Sequence, residues 1–522
     1  MGIPAYFSYI AKNHTKIIKK LHYLSSVQNL LFDCNSIIYD AIRELENEKI
    51  NITEQVIYEL ICKKVEQYIF LVKPTNVIYI AFDGVAPVAK LEQQRTRRHK
   101  SCFEESIMKK YGKEPKWDTT QITPGTEFMK NLSNKIHSYF DNPQKFGVKS
   151  LILSTSNEPG EGEHKLYQHI RENPEMYAND CTIVYGLDAD LIMLTINHLR
   201  YGKKMFLFRE TPEFIKTIDR NLKPNELYIL DIYELSNTIS NEMCINIEKQ
   251  NSNKLFDYIF ITFLLGNDFI PHFPAVNIRT NGIEYLMDAY ADTMGSKNIS
   301  IIEDNKKINW KNFRIFIEYL KKNELVYIQH EYSLKSKKKR YYKTDNLEDI
   351  QYKFLNIPTI DRSVELFINP DEDGWQDRYY KALFDVEITE AIKKQICMNF
   401  LEALEWTFKY YTTGCCDWRW KYNYHYPPLL EDLYRYIPFF DTEFIECKEK
   451  NPVSPYVQLS YVLPKESQKF LPKNILNKLK TAPEWYSDDY EFQWAFCKYF
   501  WEAHVELPHI DIDKLEKYIT FV

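Results

Sequence analysis

No two cysteines in this 522-residue chain are spaced as CxxC, and the ten present (34, 62, 102, 181, 244, 397, 415, 416, 447 and 497) follow no framework spacing. That argues against a disulfide scaffold or a zinc site and implies reduced thiols in a reducing compartment. No signal peptide is visible. The most apolar interior run, Leu255 to Leu265, is broken by Asp257 and covers about half a membrane span, so it reads as a core helix. Gly2 does not head a myristoylation motif, because position 6 is Tyr. A basic excess is missing too: 67 Lys and Arg against 73 Asp and Glu leave a net charge of −6. Any polyanionic partner must then be met by a local patch, because the chain as a whole would repel it. There is no P-loop, no Ser/His/Asp arrangement, no internal repeat and no low-complexity segment. The length suits two or three domains or one large α/β unit with insertions, soluble and intracellular.

What the chain does have is carboxylates at the ends of short apolar runs. Asn29 to Phe32 reads as a strand ending on Asp33, and Val77 to Phe82 as a strand ending on Asp83. Gly147 to Ser154 is a third, followed by NEPGEGEHK with Glu161 and Glu163 between glycines that allow close backbone approach. Thr182 to Tyr185 leads into GLDADLIML with Asp188 and Asp190, and the Leu255 to Leu265 helix ends at Gly266 with Asp268 just beyond. Strands alternating with helices imply a mostly parallel sheet, whose ligands bind beyond the carboxyl ends of the strands. Each acid alone fits a structural role at a turn. Seven converging on one cleft would repel one another unless cations neutralised them, and oxygen-only clusters select Mg²⁺ or Mn²⁺.

After Asp83 the sequence predicts a helix on which Lys90, Gln94, Arg97 and Arg98 are spaced i, i+4, i+7 and i+8, within an arc of roughly 100°. Acids for a metal beside cations for a phosphate is the combination that cutting a nucleic acid requires. The alternative is a solvated basic helix beside a turn aspartate. Thr123 and Pro124 read as the start of a further helix.

From about Ala291 to Asp349 the chain turns polar and Lys-rich, with KSKKKRYYK at 335–343, and reads as a linker or insertion rather than an RNA contact. Beyond Phe354 it is aromatic and helical in pattern. In the block Glu402 to Leu429, Trp418, Trp420, Tyr422, Tyr424, His425 and Tyr426 alternate with Arg419 and Lys421. Such rings can stack nucleobases and such cations hold phosphates, but most of the rings equally suit a core.

These segments, in this order, resemble the eukaryotic 5′-to-3′ exoribonucleases of the Xrn type: MGIPAYFSYI, FDCNSIIYD, AFDGVAPVAKLEQQRTRR, ITPGTEFM, EPGEGEHK, YGLDADLIML, FLLGNDFIPHFP, the GCCDWRWKYNYHYPP block and SPYVQLSYVLP, spanning Met1 to about Pro464. The resemblance implies that Asp33, Asp83, Glu161, Glu163, Asp188, Asp190 and Asp268 bind divalent metal, Mg²⁺ or Mn²⁺ and two ions. It implies that Lys90, Gln94, Arg97 and Arg98 hold an RNA 5′-monophosphate. It also implies that the first base stacks between Trp420 and a position where the family has histidine and this chain has Tyr39. A tyrosine still stacks, but it lacks the imidazole's proton chemistry. The segment from Arg98 to Ile122 is short for the family, and the β-rich domains of the large cytoplasmic members are not expected. The abundance of Lys, Asn, Ile and Tyr suits an AT-rich genome, such as that of a protist or a large DNA virus.

The expected fold is α/β, with a mostly parallel central sheet flanked by helices in the manner of PIN and flap nucleases and a mainly helical, aromatic-rich half packed on it. The expected divisions are a nuclease half at 1–290, a basic linker at 291–350 and a half completing the pocket at 351–522. The expected activity is metal-dependent, processive 5′-to-3′ degradation of single-stranded RNA bearing a 5′-monophosphate, by a monomer working in the cytoplasm in preference to the nucleus. The rivals are a structure-specific flap nuclease on DNA and a non-catalytic RNA 5′-end-binding protein.

Overall fold

The computed structural model of the chain describes residues 3, 5–48, 52–112, 116–209, 222–223, 226–243, 253–303, 306–337, 347–446 and 451–520. Its strands are β1 (Ile18–Lys20), β2 (Asn29–Asp33), β3 (Val77–Ala81), β4 (Ser150–Ser154), β5 (Thr182–Tyr185), β6 (Met205–Arg209) and β7 (Tyr228–Asp231), of which β2 to β5 are the apolar runs read from the sequence. They form one sheet in the order β1-β7-β6-β5-β2-β3-β4. β2 to β6 are mutually parallel, and β7 and β1 close one edge antiparallel.

The main helices are α1 (Tyr6–Asn13), α2 (Asn35–Asn47), α3 (Glu54–Val72), α4 (Val88–Lys110), α5 (Glu127–Tyr139), α6 (Gly162–Glu172), α7 (Asp190–His198), α8 (Lys254–Thr262), α9 (Trp310–Ser336) and α10 (Glu390–Thr412). Side chains alternate between the faces of each strand, so the sheet feeds two cores. Leu30, Phe32, Ile80 and Ile183 pack with α2, α3 and α5 through Ile37, Ile61 and Leu132. Leu31, Tyr79 and Val184 pack on the other face with Leu166, Leu194 and Phe260, and this core continues into Phe316 of α9 and Trp406 of α10. The second half therefore shares a core with the sheet.

Strand order reverses at β2: β3 and β4 lie on one side of it, β5, β6 and β7 on the other. Helices on either side of a reversal diverge and leave a crevice at the carboxyl ends, and here that crevice falls between Asp33 at the end of β2 and Asp188 after β5. Along one flank runs α4, which is held at several points. Val88 N donates to Trp418 O at 2.9 Å, Ala86 N to Gln458 Oε1 at 3.1 Å and Arg95 to Pro508 O at 2.9 Å, and Lys421 pairs with Glu92.

Two expectations need correction. The helix expected from Thr123–Pro124 begins at Glu127, because Thr126 Oγ1 accepts from Met129 N at 3.3 Å and so supplies the cap. The segment 291–350 is not a tether over its described length. α9 buries Trp310, Phe313, Phe316, Ile317 and Leu320 as one stripe in the main core. Its Lys and Asn lie on the outer face, and averaging composition along the segment hid the stripe. Of KSKKKRYYK, residues 338–343 lie outside the described residues; Lys335 pairs with Glu365 at 2.5 Å. Among the described residues the cysteines are free thiols, and no helix is long and apolar enough to cross a membrane.

Candidate active site

The acids at the crevice are not equivalent, because protein donors reach only some of them. Asp83 is well served: Gly162 N donates to its Oδ1 at 2.7 Å and Asn35 Nδ2 to its Oδ2, while Asp83 N donates back to Asn35 Oδ1 at 3.1 Å. Glycine at 162 also leaves room for the neighbouring acid, since a Cβ there would lie 2.6 Å from Asp33 Oδ1. Asp33 Oδ1 and Glu163 Oε2, by contrast, are buried with no hydrogen-bond partner among the described residues. Oxygens of Asp33, Glu163 and Asp188 lie within 4.8 Å of one another.

Burial pushes Asp33 well above the usual carboxylate range, helped by the charges of Asp83 and Asp188. Glu163 is raised well above its range by burial and then by Asp190 and Glu161. Burial also takes Asp190 up to about 7. Buried oxygens without donors, on two carboxyls that burial holds against ionisation beside Asp188, which charge lowers, are what a hard divalent cation relieves. The three residues fit such an ion.

Elsewhere in the crevice a lysine supplies the positive charge. Lys90 Nζ lies 2.5 Å from Glu161 Oε2 and 2.6 Å from Asp268 Oδ2, and all three side chains are buried. Burial opposes both ionised acids, yet the ammonium holds Asp268 below the usual range, while Glu161, which also faces Asp83, stays raised. Lys90 was expected on the phosphate face with Gln94, Arg97 and Arg98; it points instead to the acids.

The sequence reading missed two residues of the second half. Tyr410 OH donates to Glu161 Oε1 at 2.8 Å, and Tyr411 OH to Asp190 Oδ1 at 2.8 Å. Both tyrosines are buried at the end of the apolar helix α10. Adjacent phenols on a buried helix need acceptors, and that is the signal that could have found them.

Of the other expected residues, Tyr39, Arg97 and Arg98 come together. Although burial opposes it, the guanidinium groups of Arg98 and Arg97 pull the Tyr39 phenol below its ordinary value. Arg98 is buried and donates to Thr119 O at 3.1 Å, Ile122 O at 2.7 Å and Thr123 Oγ1 at 2.9 Å. Gln94 is buried beside it on α4, while Arg97 is half-buried. Arg97 and Asp268 also line a cavity of about 1300 Å³ that runs along α4 past Lys100, His425 and His504.

Trp420 is half-buried and stacks on Trp406, with ring centroids 5.2 Å apart and planes 23° from parallel. The neighbouring cations do not await phosphates: Arg419 pairs with Glu516 at 2.8 Å, and Lys421 is taken by Glu92. Tyr422 and Tyr426 are core.

The architecture is a PIN-like α/β unit whose switch-point crevice carries a carboxylate cluster, joined to a helical half that supplies donors to that cluster. The chain belongs to the XRN 5′-3′ exonuclease family: the XRN 5′-3′ exonuclease N-terminus matches residues 1–211, and the Xrn1 helical domain matches 248–362 and 363–522. It is similar to 5′-3′ exoribonuclease 2 of Arabidopsis thaliana, at 27% identity over 93% of this chain and 62% of that protein. Similar too are 5′-3′ exoribonuclease 1 of Saccharomyces cerevisiae (26% identical, 90% of this chain, 40% of the relative) and of Homo sapiens (28%, 99% and 34%). The chain thus spans about a third to three-fifths of the length of these relatives.

Proposed function

We propose that this protein is a divalent-metal-dependent, processive 5′-to-3′ exoribonuclease that degrades single-stranded RNA bearing a 5′-monophosphate to nucleoside 5′-monophosphates. The observation that carries the proposal is the pair of buried oxygens on Asp33 and Glu163, without donors among the described residues and beside Asp188, in a crevice where the charge of Arg97 also acts on Asp268. The relatives' names point the same way.

Asp33, Glu163 and Asp188 would hold one cation, and the seven acids suffice for two ions of Mg²⁺ or Mn²⁺. When bound, such ions supply an activated water and stabilise the leaving oxygen of an in-line phosphodiester displacement. Arg97 and Gln94 bind the terminal phosphate, with Arg98 behind them held by backbone carbonyls and so unable to recoil. Lys90 stands at the boundary and balances the charge of Glu161 and Asp268. Tyr39 and Trp420 sandwich the first base, which registers the next phosphodiester over the acids.

The test is digestion of one RNA sequence carrying a 5′-monophosphate, triphosphate or hydroxyl, with and without Mg²⁺, beside a DNA flap. The expected result is mononucleotide product from the monophosphate alone and only with Mg²⁺. Equal rates on all ends, preference for the flap, or binding without product would overturn the proposal.

A further inference from the structure

Four rings lie nearly parallel between the edge of the second half and the acids. Trp420 stacks on Trp406 (5.2 Å, 23°), Trp406 on Tyr410 (4.9 Å, 22°) and Tyr410 on His164 (3.7 Å, 27°). Trp406 and Tyr410 are i and i+4 on α10, so one helix face presents both. The Trp406 indole donates to Asp417 O at 2.9 Å, which ties the column to the loop carrying Trp420. His164 follows Glu163 on α6, and burial holds it neutral, so the inner end of the column rests on the acid-bearing helix without adding charge.

The side of the column is braced. Phe269, next to Asp268, meets Trp406 edge-on at 5.2 Å and Tyr410 edge-on at 5.4 Å. Rings stacked face to face and blocked at the edge cannot slip independently, so a displacement of the outer ring is passed inward. The last link is polar, from Tyr410 OH to Glu161 Oε1 at 2.8 Å. Tyr411 offers a comparison within the same helix. It too donates to an acid, Asp190, but its ring lies edge-on to His164 (6.0 Å, 80°) and Phe263 (5.3 Å, 66°), outside the column.

We infer that Tyr410 is a positioning residue through which a base stacked on Trp420 sets the Glu161 carboxylate, so that the acid site is fully ordered only when a base is seated. The inference rests on the exoribonuclease proposal. It makes the enzyme sensitive to whether the first nucleotide carries a base, as distinct from whether its phosphate is bound.

The experiment compares single-turnover cleavage of 5′-monophosphorylated RNA with a normal first nucleotide against the same RNA abasic at that nucleotide. In the wild-type protein the base should raise the maximal rate, and not merely the apparent affinity, by about 10- to 100-fold, the range set by one base–aromatic stack. Tyr410→Phe keeps the ring and removes the link to Glu161. It should lower the maximal rate on the intact RNA and shrink the base effect on that rate to about 2-fold, leaving the affinity difference in place. Tyr411→Phe should slow both substrates by one common factor and retain the base effect. Equal maximal rates of the wild-type protein on both RNAs, or a base effect retained in Tyr410→Phe, would overturn the inference while leaving the exoribonuclease standing. A wild-type protein that degrades neither RNA would instead overturn the proposed activity, and the inference with it.

Discussion

Lys90 Nζ lies 2.6 Å from Asp268 Oδ2, so a cation expected to serve a phosphate is in direct contact with an acid expected to serve a metal. The ammonium balances part of the acid cluster, while Asp33 Oδ1 and Glu163 Oε2 are buried without a hydrogen-bond donor among the described residues.

Replacing Lys90 by Met should destabilise the cation-free protein by about 3–5 kcal/mol, because Glu161 and Asp268 lose the buried ammonium that lies against both. Denaturation with and without Mn²⁺ checks this. Mn²⁺ should restore a larger share of stability to the variant than it adds to the wild type.

Glu163→Gln should behave in the opposite way. It replaces a buried carboxyl that already resists ionisation by a neutral isostere, so the cation-free melting temperature should hold or rise, while Mn²⁺ affinity and Mg²⁺-dependent cleavage fall by about 100-fold or more. Calorimetric Mn²⁺ titration beside a cleavage assay reads both. A melting temperature well below wild type would contradict the charge argument.

Arg97 and Arg98 should separate function from fold. Arg97→Ala should lower the preference for a 5′-monophosphate over a 5′-hydroxyl by about 10- to 100-fold at nearly unchanged stability, since the side chain is half-buried and faces the cavity. Arg98→Ala should also lower the melting temperature, through loss of its bonds to Thr119, Ile122 and Thr123.

Glu324, far from the acids in sequence, predicts a pH dependence of stability. It accepts from Leu430 N at 2.7 Å and Glu431 N at 3.2 Å, and burial raises its carboxyl to about 8. The folded state therefore keeps a proton that the unfolded state gives up near pH 4.5. The contribution is fully present below that value and is lost as pH rises to about 8, at up to roughly 1.4 kcal/mol per pH unit. Glu324→Gln should flatten denaturation midpoints across this window; an unchanged slope would refute the assignment.

Much of the first half was legible in local pattern. Leu30 to Phe32 and Ile183 to Tyr185 are short apolar runs bounded by turn residues, with Asp33 directly after the first and Asp188 three residues after the second. Gly266 ends its helix segment with φ near 82° and ψ near 148°, outside the αL cap but in a region open to glycine alone. The stripe in α9 escaped because charged neighbours outnumbered it, and Trp406 was one apolar residue among many until its neighbours in space were known.

By itself the sequence determined the four strands β2 to β5, the acids near their ends and the helix α4 that carries Lys90, Gln94, Arg97 and Arg98, because each depends on residues a few positions apart. Tertiary structure decided which acids lack donors, where Lys90 turns, and that Tyr410 and Tyr411 reach acids 249 and 221 positions away. The physical reason is that desolvation and through-space charge act over a few ångströms regardless of chain separation. Only the strand order and the packing of the second half set those distances.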